Sequence, residues 1–112
     1  DVYDREMFVD GNGTGVRSVD IALGIDTRTG HAVRIMDQFP GVRLGIIPGL
    51  DGGPVRLGGT MLLSFSPVGT STSGSIFIVG RDRAQFRVRV LGATARTRLQ
   101  RYLPELDEWV DL

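Results

Sequence analysis

The chain has no cysteine and no lysine. Without cysteine there is no disulfide framework and no thiolate chemistry, and the redox compartment stays open. Without lysine all thirteen basic residues are arginine, and a phosphate loop of the Walker type, which needs a lysine, is excluded. Histidine occurs once, as His31. A lone imidazole with no second histidine and no cysteine makes a poor metal site, and a serine nucleophile needs a base oriented by a third group. We therefore read His31 as a surface residue beside a turn and expect neither catalysis nor a cofactor. The serines of residues 64–75 then read as turn and cross-strand hydroxyls. No run of roughly eighteen apolar residues is present, so no stretch is long enough to cross a membrane as a helix, and no secretory leader is visible.

Glycine, by contrast, is abundant, with 16 among 112 residues. Many glycines separating short apolar runs predict frequent turns and short strands, and the length fits one domain. The charge sums to zero but is segregated. Residues 1–26 hold six acids and two arginines, residues 81–101 hold seven arginines and one acid, and residues 105–111 hold four acids and no base. Such blocks either pair with one another in the fold or leave an arginine face open to a polyanion.

Residues 1–9 read as the remnant of an N-terminal helix or as an edge strand. Val19, Ile21, Leu23 and Ile25 alternate with polar or small residues, which predicts a strand. Gly30 ends a turn that would make residues 17–36 a hairpin. Residues 42–47 read as a short strand, residues 48–59 as a long loop, and Met61, Leu63 and Phe65 as one side of another strand. Further strands are expected at 75–79, 86–90 and 96–100, and the acidic tail 104–112 as a helical turn opened by Pro104. The expected fold is mainly β, with two packed antiparallel sheets in a single domain. The expected core takes in Val19, Ile21, Leu23, Ile25, Leu63, Phe65, Ile76, Ile78, Phe86, Val88 and Val90.

Two constellations carry candidate binding chemistry. In DGNGTG, residues 10–15, Asp10, Asn12 and Thr14 occupy alternate positions before a glycine, as in a calcium loop. Position twelve of such a loop would be Ile21, whereas the acid, Asp20, comes one residue early. Asp10, Asn12, Thr14 and Asp20 are thus weak calcium candidates, and a tight turn built on side-chain oxygens is the favoured reading. In the second constellation, Arg87 and Arg89 alternate with apolar residues, as do Arg96 and Arg98. This places all four on one sheet face, where they could follow the phosphates of DNA. No aromatic row is apparent on that face.

The segment MLLSFSPVGTSTSGSIFIV, residues 61–79, resembles the C-terminal domain of GspH/FimT-type minor pseudopilins. That family carries an F-x-P-x-G-x-x-x-x-G pattern between two strands, matched here by Phe65, Pro67, Gly69 and Gly74. Its later Gly-Arg-x-Arg strand is matched by Ala95, Arg96, Thr97 and Arg98, with alanine in place of glycine. DGNGTGVRSVDI and Phe39-Pro40-Gly41-Val42 are similar to segments of some relatives, so the resemblance extends over residues 10–102. It implies a non-enzymatic head domain that belongs behind a hydrophobic N-terminal helix not included in this chain. It further implies anchorage in the inner membrane with a periplasmic head, or incorporation into a type II secretion pseudopilus or type IV pilus. The implied partners are other pilin-like subunits, and the isolated head is expected to be monomeric. DNA binding through the arginines and a calcium-dependent adhesion module are the alternatives.

Overall fold

The structure is a computed structural model that describes residues 5–58 and 61–112. Among these residues the chain is mainly β, with two antiparallel sheets. The smaller sheet pairs β1 (Arg5–Val9) with β2 (Thr27–Val33). Arg5 lies opposite Val33 while Met7 lies opposite Thr29, so β2 carries two more residues than β1 between these pairs. Gly30 falls inside this irregularity with φ of 70°. The left-handed backbone expected at Gly30 is therefore present, but it serves a bulge within one strand, not a hairpin turn. His31 is accordingly an exposed residue of β2.

The strand expected over residues 19–25 is absent. Its place is taken by a short helix, α1 (Ser18–Ala22), and a turn. Ile21 and Leu23 donate to the carbonyls of Arg17 and Val19, and the amides of Ile25 and Asp26 both donate to the carbonyl of Asp20. This local closure leaves Val19 58% and Leu23 69% exposed, so neither belongs to the core. The alternation of apolar residues fits a strand only if a neighbouring edge accepts it, and here the backbone is satisfied within its own segment. A second short helix, α2 (Ile35–Gln38), follows β2.

The larger sheet is built from β3 (Arg43–Leu44), β4 (Val55–Arg56), β5 (Gly74–Val79), β6 (Gln85–Leu91), β7 (Arg96–Leu103) and β8 (Glu108–Asp111). β5, β6, β7 and β8 pair in sequence order, while β3 and β4 both pair with β5, at its opposite ends. Residues 42–47 thus supply only a two-residue strand, and the long loop after it contains β4. Residues 61–65 form no strand beyond a single bridge from Phe65 to Ser71. Phe65 is 59% exposed and leaves the expected core. The acidic tail is not helical. Residues 104–107 make a tight turn, with Asp107 donating to the carbonyl of Pro104, and the chain returns as β8. Gly74 opens β5 where β4 crosses it, and a Cβ there would run into the carbonyl of Arg56.

The fully buried apolar residues are Leu57, Phe77, Val79 and Val90. Of the expected core only Val90 is among them. Ile21, Leu63, Ile76, Ile78, Phe86 and Val88 are half-buried, and Ile25 is exposed. For Leu63, Ile76, Ile78 and Val88 the reason is an open cleft of about 1510 Å³ that they line, walled on its other side by β1. The molecule measures 48 × 33 × 21 Å with a radius of gyration of 15.5 Å, against roughly 13 Å for a compact domain of this length. Its accessible surface is 7753 Å², against roughly 6,100 Å² for a folded monomer of this mass.

Candidate functional site

Register assigns the side chains of the large sheet to two faces. Val55, Ile76, Val88 and Leu99 stand in one cross-strand row, and the first three line the cleft. The opposite face carries Arg56, Ser75, Phe77, Arg87, Arg89, Arg98, Gln100, Tyr102 and Trp109, by the same pairing. Arg87, Arg89, Arg96 and Arg98 therefore share one face, and Arg56 joins them.

That face is not a uniform solvated stripe. The Arg87 guanidinium lies 4.1 Å from the centre of the Trp109 ring and donates to Gln100 Oε1 at 2.6 Å. Arg56 lies 4.2 Å from the centre of the Phe77 ring and donates to the carbonyl oxygens of Gly53 and Asp51. Phe77 meets Trp109 edge-on at 5.7 Å, and Tyr102 packs on Trp109 at 5.2 Å. Phe77, Tyr102 and Trp109 thus form the aromatic row that the sequence did not reveal. It was hidden because Trp109 lies in the tail expected to be helical, and β8 folds it back over the sheet. Burial lowers the pKa of Arg87, and the positive charges of Arg89 and Arg56 lower it further.

The acidic tail answers part of this charge. Asp111 accepts from Gln100 at 2.8 Å and lies 3.6 Å from Arg98. Asp107 accepts the Tyr102 hydroxyl at 2.6 Å, which raises the pKa of that phenol. The side chains of Arg89 and Arg96 make no ion pair or hydrogen bond among the described residues.

Gln85 locks the far end of the same sheet. It is 1% exposed. Its carbonyl accepts from Ile47, and its amide donates to the carbonyls of Gly45, Ile78 and Phe86. The loop after β3 is thereby fixed to β5 and β6 through one side chain.

The structure brings Asp10, Asn12, Thr14 and Asp20 into one loop. The Asp10 carboxylate accepts from the amides of Asn12, Gly13 and Gly15, at 3.1, 3.1 and 2.9 Å. These bonds hold its pKa below the ordinary value of 3.8. The Thr14 hydroxyl contacts Asn12 Oδ1 at 2.6 Å and Asp20 Oδ2 at 3.2 Å. Asp26, not singled out from the sequence, is 2% exposed and accepts from the amides of Gly11 and Arg17, each at 2.9 Å. Its role rests on contacts 15 and 9 residues away, beyond any local spacing rule. The loop's oxygens are engaged by its own backbone, as in side-chain-closed turns. No group of three or more histidine, cysteine, aspartate or glutamate residues is arranged to hold a metal ion among the described residues.

No family model matches the chain, and neither a curated protein nor a solved structure matches it.

Proposed function

We propose that this domain is the non-catalytic head of a minor pseudopilin, a structural subunit of a type II secretion pseudopilus or type IV pilus. Its partners on this reading are other pilin-like subunits. It would sit in the periplasm on an inner-membrane anchor, or within the filament. The observation that carries the reading is the open apolar face of the large sheet. A sheet with one apolar face gains stability when another layer covers it. Here Ile76, Ile78 and Val88 look into a cleft that the small sheet leaves open. The surface surplus over a compact monomer exceeds the roughly 800 Å² that each partner contributes to a standard interface. The segment from Phe65 to Gly74 adds the family-like pattern. Ala95, which stands where the family has glycine, adopts φ of 54°, a conformation that glycine takes most readily.

The test is assembly. The isolated domain is expected to be monomeric at micromolar concentration and to turn over no substrate. The full-length protein should co-purify with pilin-like subunits, and deleting its gene should impair secretion or piliation. A stable homo-oligomer of the head alone, or a gene with no membrane helix encoded upstream of Asp1, would sink the reading.

A further inference from the structure

A second feature lies on the opposite face of the large sheet and is independent of the assembly reading. Ser75 of β5 stands between Arg56 of β4 and Arg89 of β6, so one cross-strand rung reads Arg56, Ser75, Arg89. Adjacent strands lie about 4.8 Å apart, so the two arginines flank the serine, with the Arg56 guanidinium held by the carbonyls of Gly53 and Asp51. Arg87 is two positions from Arg89 on the same strand and the same face. None of Arg56, Arg87 and Arg89 contacts a carboxylate among the described residues. Asp111, an acid on this face, is engaged by Gln100 and Arg98. Burial first, and then the positive charges of Arg89 and Arg56, lower the pKa of Arg87.

Beside this rung opens a hollow of about 330 Å³, bordered by Ser73, Ser75, Arg89, Leu91 and Gly92. That is the lower end of small-ligand size. The Ser73 hydroxyl accepts from the amide of Gly92. The Ser75 hydroxyl makes no hydrogen bond among the described residues. A free hydroxyl and an unpaired guanidinium thus converge on one concave spot within a field of further positive charge.

We propose that this hollow binds a phosphate oxyanion, with Arg89 and Ser75 as its direct ligands and Arg56 and Arg87 as the surrounding positive charge. A single carboxylate would satisfy one guanidinium and leave the others uncompensated. A multiply charged tetrahedral anion accepts from several donors at once and matches the excess. The phosphate can come from a free oligophosphate or from a nucleic-acid strand, and both present the same oxygens.

The experiment is calorimetric titration at low salt with sodium pyrophosphate and, separately, with a thymidine oligonucleotide. Pyrophosphate should bind with one-to-one stoichiometry. Arg89→Gln should weaken it by about tenfold or more, the loss expected for a charge-assisted bond. Ser75→Ala should weaken it less. Arg101→Gln, which removes the same charge from the cleft face, should leave it unchanged. Arg89 and Arg101 are both exposed, so neither variant threatens the fold. If the oligonucleotide also binds, competes with pyrophosphate and is lost in Arg89→Gln, a strand is an accepted source of the phosphate. If pyrophosphate alone binds, the source is the free anion. Failure of both probes to bind, binding that survives Arg89→Gln, or equal weakening by Arg101→Gln would overturn the proposal.

Discussion

The large sheet and the N-terminal hairpin are held together by different means. β5, β6 and β7 share ladders of six registered pairs each, Phe77, Val79 and Val90 are buried along them, and Gln85 closes one end. The hairpin of β1 and β2 has four registered pairs, a bulge, and no buried apolar side chain. Its connecting segment is gathered by carboxylates, with Asp10 and Asp26 accepting from five backbone amides between them. The sheet should therefore respond to changes of volume, and the loop to changes of charge. The cleft marks where the two regions fail to complete one core.

Volume offers the largest break in this contrast. Phe77→Ala removes a ring that is 4% exposed and should destabilise the protein by about 3–5 kcal/mol, read as a shift in denaturation midpoint. Phe86→Ala, on the half-buried cleft face, should have a smaller effect, about 1–3 kcal/mol. Equal losses for the two would mean that the cleft is closed in solution.

Charge should act on the other region. Asp26→Ala leaves the amides of Gly11 and Arg17 without their acceptor, at about 1–3 kcal/mol. Amide exchange should accelerate over residues 10–26 while β5 to β7 stay protected. Equal acceleration in both regions would show that loop and sheet form one cooperative unit. Asp10 makes the loop sensitive to pH. Its folded pKa lies below 3.8, so its contribution is complete above the unfolded value and is lost as pH falls through the folded one. Acid should thus expose the amides of Gly13 and Gly15 before those of the sheet. Simultaneous exposure would remove the distinction.

Smaller effects sharpen the comparison at single sites. Ala95→Gly should stabilise the β6–β7 connection by about 1 kcal/mol or less, because alanine is strained at positive φ. A loss of stability would mean that the turn tolerates alanine without strain. The smallest expected effect is that of calcium. Melting should be the same in chelator and in excess calcium, because both oxygens of Asp10 already accept backbone amides. Calcium-dependent stabilisation that disappears in Asp10→Ala would overturn the turn reading.

The same contrast explains what the sequence made legible. Strict alternation at Phe86, Val88 and Val90 against Arg87 and Arg89 gave both the strand and its faces, because long ladders sit on either side. Alternation at Val19, Ile21, Leu23 and Ile25 was equally regular and misleading, because the carbonyl of Asp20 and the carboxylate of Asp26 fold that segment locally. Of the arginine face, four members were readable from period two. Arg56 was not, since β4 is two residues long within a glycine-rich stretch. Trp109 was not, since Pro104 and the acids around it read as a helix start. The buried Gln85 gave no local signal, because its partners Gly45 and Ile47 lie 40 and 38 residues away.

On the proposed function, the cleft face of the large sheet is open in the isolated domain and covered on assembly. Quenching of methyl signals by a water-soluble spin label tests it most directly, at Ile76, Ile78 and Val88, with buried Val90 as the internal reference. Strong quenching of the three cleft methyls is expected in the isolated domain, and its loss when the full-length protein is assembled with pilin-like subunits as proposed. Val90 should stay protected in both states. Protection of the cleft methyls in the isolated domain, or unchanged quenching after assembly, would contradict the open-cleft reading.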